Sequence, residues 1–358
     1  MKKVLFETHH LYYWPNFLPI VQELKRRNQY DIHVSIPKRS SCFEQNILMK
    51  VCNDIDIRFI TANSEVQRIK NIFSEKYDII IVGNIGKLNK IVRKGTKAIM
   101  VYHGIGLKQS YYNDMHDRID LRAVESVSRY NKLKNTGCDN LVLTGFTKLD
   151  RLFTIPDGKI EKKKNMINLD QSKKTILYAP SYYPTSIEKV CPLLPDLNND
   201  FNIIIKLHGF SWEKKKYYYQ NALCNELDKA NENIHLLKNY DYDIIPYYKM
   251  SDMLLTDLSS TMFEYLPINK PIIQVQCYTL KFMHKIFKNR FFRKIDYQRM
   301  LNVNFTYHIK DPSELLSRVY YAIDNIDEMS SQRINATEHY LYKLDGKASS
   351  RLIDAFED

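Results

Sequence analysis

Apolar positions in this chain fall into short solid runs separated by stretches with helical spacing. In the first part of the chain the runs are Val4–Phe6, Ile32–Ile36, Ile57–Ile60, Ile79–Val82, Ala98–Tyr102 and Leu141–Leu143. Several are apolar throughout, as strands covered on both faces must be, and they predict a parallel sheet. Between them, Phe17–Arg27, Glu44–Cys52, Glu65–Ser74 and Ser126–Thr136 carry helical periodicity, which gives the alternation of βαβ units. After Asp150 the pattern lapses. Residues 157–174 are polar and lysine-rich and predict a junction. A second series then begins, with strands at Ile176–Tyr178, Ile203–Leu207, Ile234–Leu236, Met253–Leu255, Ile272–Val275 and Phe305–Ile309. Its helices are expected near Lys214–Lys229, Ser260–Leu266 and Ser313–Asp324. The expected fold is α/β, with two Rossmann-like doubly wound domains facing across a cleft. Residues 1–156 would form an N-terminal, acceptor-side domain, 157–174 a linker, and 175–358 a C-terminal, donor-side domain. Ligands of such sheets sit at the carboxyl ends of the strands.

Length agrees with this division, since 358 residues make about two domains of ordinary size. Charge adds something the pattern does not contain. Lys and Arg number 53 against 41 Asp and Glu, a net +12, and such an excess favours an acidic partner: nucleic acid, an anionic membrane surface or a phosphorylated substrate. No RNP-like, KH or zinc-knuckle pattern is present, so nucleic acid is not expected. The six cysteines are scattered without a CxxC pair, which argues against a zinc site or a disulfide framework. The longest stretch free of Asp, Glu, Lys and Arg, Thr8–Gln22, is too short to span a bilayer. Only Val4–Phe6 precedes Glu7, so no signal peptide is expected and the protein is expected to remain in the cytoplasm.

Three segments carry candidate chemistry. In Tyr102-His103-Gly104-Ile105-Gly106-Leu107-Lys108, His103 directly follows a predicted strand. Histidine is the side chain suited to taking a proton near neutral pH, Gly104 allows close approach of the backbone to a ligand, and Lys108 supplies a fixed positive charge. Ile203–Gly209 repeats the arrangement in the second series, placing His208 at a strand end, and a structural histidine, satisfied by backbone at His103, is the alternative for both. Ser251–Tyr265 reads as strand, hydroxyl-rich turn and helix. There Ser259 or Ser260 can cap the helix, and its free N–H groups with the helix dipole suit phosphate. An ordinary capped helix accounts for Ser259-Ser260-Thr261 equally well.

Taken in order, these segments resemble those of the CDP-glycerol glycerophosphotransferase family, the teichoic-acid primases and polymerases and their capsule-polymer relatives. His103-Gly104-x-x-Leu107-Lys108 matches HGxxLK, Thr144–Asp150 looks like TGxxRxD, and Ile176–Ser181 resembles ILYAPT. Lys206-Leu207-His208 resembles KLHP, and Asp252–Pro271 is similar to DvLITDYSSxxFDxxxxxKP. Gly209 stands where the family usually has Pro, Tyr182-Tyr183 replace Trp-Arg, and Leu258 replaces Tyr. The resemblance implies a GT-B fold and transfer of a polyol phosphate from a CDP-polyol to an acceptor hydroxyl, with no metal and no cofactor beyond the donor. In that picture His103 is the general base on the acceptor alcohol. His208, Ser259, Ser260, Thr261 and Lys108 would serve the donor pyrophosphate. Asp257, Gly104 and Ser181 would support the site, with Asp257 orienting the turn because like charges repel. A GT-B glycosyltransferase using a nucleotide sugar is the alternative, since the same phosphate site serves either donor.

Two further stretches bear on the acceptor, which is expected to be a polyol phosphate, a glycan or a lipid-linked chain. His9 and His10 open the ring-rich segment His9–Pro15 after the first strand, where acceptor-side loops lie. The same residues also suit core packing. Lys281–Arg299 holds seven Lys or Arg and one acid, Asp296, interleaved with phenylalanines. It fits an anionic membrane surface, and thus a peripheral position on the inner face of the cell membrane, or a basic helix packed by its rings.

Overall fold

The computed structural model describes residues 1–107, 116–281 and 295–357. Over these the chain divides into two compact units: 1–104, 116–154 and 339–357 form the first, and 105–107, 155–281 and 295–338 the second.

The first unit is built on seven strands, β1 Lys2–Glu7, β2 Tyr30–Ser35, β3 Arg58–Phe59, β4 Ile79–Val82, β5 Lys97–Val101, β6 Leu121–Val124 and β7 Leu141–Leu143, in the order β3-β2-β1-β4-β5-β6-β7. Every pairing is parallel. All four residues of β4 are buried, as a strand with helices on both faces requires. Leu5, Ile80, Val82 and Met100 lie at the centre of one core layer. Three serines start helices here. Ser41, Ser64 and Ser126 each accept a hydrogen bond, at 3.1 Å, from the backbone N–H three residues on, that of Glu44, Gln67 and Arg129.

The second unit carries six parallel strands, β8 Lys174–Tyr178, β9 Phe201–Ile205, β10 Ile234–Leu236, β11 Met253–Thr256, β12 Ile272–Val275 and β13 Tyr307–Ile309, ordered β10-β9-β8-β11-β12-β13. Its core gathers Ile176, Tyr178, Ile203, Ile205, Leu255 and Ile273.

Both orders reverse direction at one place, between β1 and β4 in the first sheet and between β8 and β11 in the second. At such a switch point the loops leaving adjacent strands part to opposite faces and open a crevice at the carboxyl ends. The first crevice receives the loops after Glu7 and Val82, and the second those after Tyr178 and Thr256.

The structure differs from the sequence reading at four places, the first being that residues 105–107, expected in the first domain, belong to the second unit. Strand β6 is an addition, its four-residue LRAV run carrying the buried Arg122, whose guanidinium reaches the Tyr102 hydroxyl at 3.4 Å. The stretch expected as a linker begins with a helix, Asp157–Met166, that belongs to the second unit, where Lys163 pairs with Asp241 at 2.6 Å. The chain end returns to the first unit. Its last helix, Ala348–Glu357, buries Leu352, Ile353 and Phe356 there. Asp150 holds the start of this helix, accepting hydrogen bonds from the N–H groups of Ala348 and Ser349 at 2.9 and 2.8 Å. Gly145, at φ +89°, lies against the Tyr342 carbonyl, and a Cβ there would stand 2.6 Å from that oxygen. The TGxxRxD-like segment therefore fastens the chain terminus.

No helix among the described residues is long and apolar enough to cross a membrane. All six cysteines are free, and among the described residues no group of three or more His, Cys, Asp or Glu is placed to hold a metal ion.

Candidate functional site

In the first unit, His103 leaves the carboxyl end of β5 and turns back over the switch point. Its Nδ1 lies 3.1 Å from the Gly83 carbonyl oxygen. A carbonyl can only accept, so Nδ1 carries the hydrogen and the lone pair of the neutral ring is on Nε2, the arrangement a general base needs. Tyr13 fixes the plane of the ring by stacking on it, centroids 4.2 Å apart and planes 13° from parallel. Gly83 makes this possible, for a Cβ there would come within 2.5 Å of Tyr13 Cδ2. Asn84 holds the far end of Tyr13 by donating to its hydroxyl at 2.7 Å. Buried Asn16 donates to the Tyr13 carbonyl at 3.3 Å and reaches that of His103 at 3.5 Å. Gly104 is buried directly behind His103, and Lys108 falls outside the described residues.

The two acceptor-side candidates part company. His10 stacks on Tyr12 at 5.2 Å and lies 3.6 Å from the Glu44 carboxylate. Glu44 also receives the Leu11 N–H at 2.9 Å. His9, in the left-handed region at φ +56°, is 2% exposed and turns toward Gly86 instead. Burial pulls its proton affinity below the ordinary histidine value, with Arg39 acting in the same sense and Glu7 against it. His33, His235 and His308 are lowered by burial as well. A histidine depressed in the folded state contributes stability above its unfolded value near 6.5, and that contribution is lost as pH falls from there through the folded value. The urea midpoint is therefore expected to drop between pH 7.5 and 5.5. It should drop less in His9→Asn, a replacement that tolerates the left-handed backbone. An identical pH dependence in the variant would contradict the burial of a neutral His9.

In the second unit the motif residues meet at the switch point. Asp257, completely buried at the end of β11, accepts from the Ser181 N–H at 2.7 Å, the Ser186 N–H at 2.9 Å and the Ser186 hydroxyl at 3.0 Å. Burial pushes its carboxyl up to about 7 while these donors pull the other way. Asp257 thus clamps the loop after β8 to the loop after β11, and Thr256 reinforces the clamp by donating to the Ala179 carbonyl at 2.7 Å. The Ser181 hydroxyl donates to the Pro184 carbonyl. Ser259, Ser260 and Thr261, all half-buried, form the turn held above this clamp. The Ser259 hydroxyl accepts weakly from the Thr261 N–H at 3.4 Å, and Ser260 occupies the cap position of Thr261–Glu264 without a side-chain cap bond. Gly106, in the same unit, lies flat against Ser260, where a Cβ would come within 3.0 Å of Ser260 Cα.

His208 starts the short helix Gly209–Glu213 and accepts the Phe210 N–H on Nδ1 at 3.1 Å. Its neutral ring therefore carries hydrogen on Nε2, a donor where His103 presents an acceptor. Tyr182 packs on the ring at 4.7 Å and Phe210 at 5.2 Å. Lys281 lies over the Tyr183 ring at 4.6 Å, and Arg299 over Phe263 at 4.6 Å. The rest of the basic stretch expected to meet a membrane, residues 282–294, lies outside the described residues. Sequence reasoning missed Asn16 and Ser186. The signal for Asn16 was a lone amide inside the apolar run Trp14–Val21, whereas nothing local distinguishes Ser186.

The family model for CDP-Glycerol:Poly(glycerophosphate) glycerophosphotransferase matches residues 2–357. The chain belongs to this family. The teichoic acid glycerol-phosphate primase of Bacillus subtilis (strain 168) is 26% identical over 251 residues, 62% of this chain and 61% of the primase. The teichoic acid poly(ribitol-phosphate) polymerase of Bacillus spizizenii is 22% identical over 297 residues, 74% of this chain and 43% of the polymerase. The chain thus spans less than two thirds of either relative's length. Among solved structures, the wall teichoic acid polymerase TagF aligns with TM-score 0.70 at 17% identity, covering 99% of this chain and 88% of that one. The UDP-GlcNAc 2-epimerase of Neisseria meningitidis bound to UDP-GlcNAc aligns with TM-score 0.66 at 14% identity over 100% of both chains. The fold is accordingly GT-B-like. Against the glycerophosphotransferase pattern, Tyr182 at the Trp position supplies the ring that packs on His208. Gly209, at the usual Pro, sits at the first position of the helix His208 starts.

Proposed function

We propose that the protein moves glycerol phosphate, or a related polyol phosphate, from a CDP-activated donor to an acceptor hydroxyl in the synthesis of a teichoic-acid-like polymer. The observation that carries this reading is the assembly at the second switch point. Ser181, Asp257 and Ser259–Thr261, drawn from two motif segments of the family, meet there around hydroxyls and N–H groups suited to a pyrophosphate, and His208, from a third, follows the neighbouring strand β9 and packs on Tyr182. Structures of TagF soaked with CDPG agree with a donor of that class.

In this reading His208 Nε2–H and the Ser259, Ser260 and Thr261 hydroxyls stabilise the donor's phosphate oxygens, and Lys108 adds positive charge. The acceptor oxygen attacks the distal phosphorus. A new P–O bond forms, the bridging P–O bond breaks, CMP leaves with its electron pair, and the acceptor proton passes to His103 Nε2. The acceptor is a polyol-phosphate or lipid-linked chain, and the basic stretch Lys281–Arg299 would hold the enzyme at the anionic membrane surface that carries it.

Purified protein given CDP-glycerol and a glycerol-phosphate-terminated acceptor should release CMP, and the same protein given UDP-sugars should release no nucleotide. Release from a UDP-sugar with none from CDP-glycerol or CDP-ribitol would replace this reading with the glycosyltransferase one.

A further inference from the structure

One cavity in the first unit has no part in the roles assigned above. It measures about 80 Å³ and lies at the carboxyl ends of β1, β2 and β4, lined by Glu7, His9, Arg39, Glu65, Arg68 and Lys87, with Pro37 and Gly86 closing it. A water needs on the order of 10–15 Å³ measured in this way, so the space admits a group of several heavy atoms.

Its charges are unevenly used. Arg68, 1% exposed, donates to Glu7 at 2.8 Å and to Glu65 at 2.9 Å, and Lys87 pairs with Glu65 at 3.0 Å. Both carboxylates are therefore neutralised in place. Arg39 is exposed at the rim and makes no ion pair among the described residues. The lining sums to three cations against two anions. His9 is the second anomaly. Its Nδ1 is buried with no hydrogen-bond partner among the described residues, an arrangement that is unfavourable where nothing fills it. Its backbone is held left-handed at φ +56°, and Gly86, at φ +48°, leaves its Nε2 room, since a Cβ at Gly86 would stand 1.9 Å from that atom. Strain and an orphaned polar atom at one residue, beside a polar cavity with one surplus cation, mark a built binding site. The Tyr13 ring connects it to the candidate base: its centroid lies 6.2 Å from that of His9 and 4.2 Å from that of His103.

We infer that this cavity is a subsite for a phosphate ester of a polyol, with Arg39 holding the phosphate and His9 a hydroxyl. It rests on the reading of the protein as a polyol-phosphate transferase and deepens it. The group bound is the phosphate-bearing unit of the acceptor chain, whose free hydroxyl is thereby delivered toward His103. Specificity follows from the pairing of one cation with one neutral imidazole: a bare polyol lacks the charge, and inorganic phosphate lacks the hydroxyls.

The test measures binding directly, without the donor. The full chain, labelled at histidine, is titrated with glycerol 3-phosphate, inorganic phosphate and glycerol while the imidazole signals are followed by NMR. Glycerol 3-phosphate should shift the His9 signals, inorganic phosphate should do so with weaker affinity, and glycerol should not. Arg39→Ala, at an exposed position that the fold does not need, should weaken glycerol 3-phosphate binding about tenfold. His9→Asn should weaken it as well. Overturning results are no binding, binding that leaves the His9 signals in place, or binding equally tight in Arg39→Ala. A chain that binds glycerol 3-phosphate in this way yet releases no CMP from CDP-glycerol would retain the subsite and lose the transferase reading. The reverse outcome would do the opposite.

Discussion

Replacing His103 with alanine is expected to lower transfer from CDP-glycerol by about 10²–10⁴-fold, the usual contribution of a general base. The expectation comes from geometry. The Gly83 carbonyl takes the Nδ1 hydrogen at 3.1 Å, which leaves the lone pair on Nε2, and Tyr13 stacks on the ring at 4.2 Å, which fixes where that lone pair points. The same contacts set the stability side of the prediction. The Gly83 hydrogen bond and the ring contacts with Tyr13 and Tyr12 are among those lost at a half-buried loop position, about 1–3 kcal/mol together, so the variant should remain folded with a cooperative thermal transition. Steady-state CMP release and a thermal melt on the same preparation check both halves. A folded His103→Ala protein that retains near-normal turnover would remove His103 as the base.

Asp257→Ala is expected to act through the opposite balance, with a large loss of stability of roughly 3–5 kcal/mol. Asp257 is wholly buried, and three donors converge on its carboxylate from Ser181 and Ser186. Alanine strands both N–H groups and leaves the Ser186 hydroxyl with the Tyr178 hydroxyl at 2.8 Å. Asparagine rescues only part, because its amide N–H₂ must face a donor where an oxygen now accepts. Urea unfolding should therefore rank wild type above Asp257→Asn and Asp257→Ala. Activity should fall in both variants, because the loop carrying Ser181 is no longer clamped to the turn carrying Ser259–Thr261. A midpoint for Asp257→Ala within about 0.5 kcal/mol of wild type would contradict the role of this carboxylate as the tie between the two loops.

What the sequence made readable follows from physics that is local. Ile79–Val82 and Ile272–Val275 coincide with the strands read from their apolar runs, because a parallel strand covered on both faces has no other composition open to it. Glu65–Ser74 likewise coincides, being amphipathic and opened by the Ser64 cap. Strand β6 escaped because Arg122 breaks its run, and an arginine in a strand is affordable only where a partner such as the Tyr102 hydroxyl is present, which a linear reading does not display.

The same division holds at the site. His103, His208, Asp257 and Ser259–Thr261 were legible as residue types following strands, and the sheet order then places them at or beside the switch points. The contacts that give them roles were not legible. Tyr13 stacks on a residue 90 positions away, Ser186 serves a carboxylate 71 positions away, and Asp150 caps a helix 198 positions on. Sequence separation of that size leaves no periodic trace. The return of the chain end to the first unit is hidden for the same reason, since it depends on Asp150 and Gly145 meeting the backbone of Ala348 and Tyr342, and on Arg351 meeting that of Thr144.

Transfer of glycerol phosphate from CDP-glycerol is followed most directly by ³¹P NMR of the donor turned over by the purified chain in the presence of a glycerol-phosphate-terminated acceptor. The pyrophosphate pair of resonances is expected to disappear while a CMP monoester and a new phosphodiester grow in equal amounts. An unchanged pyrophosphate signal, or CMP formed with no matching phosphodiester, would contradict it.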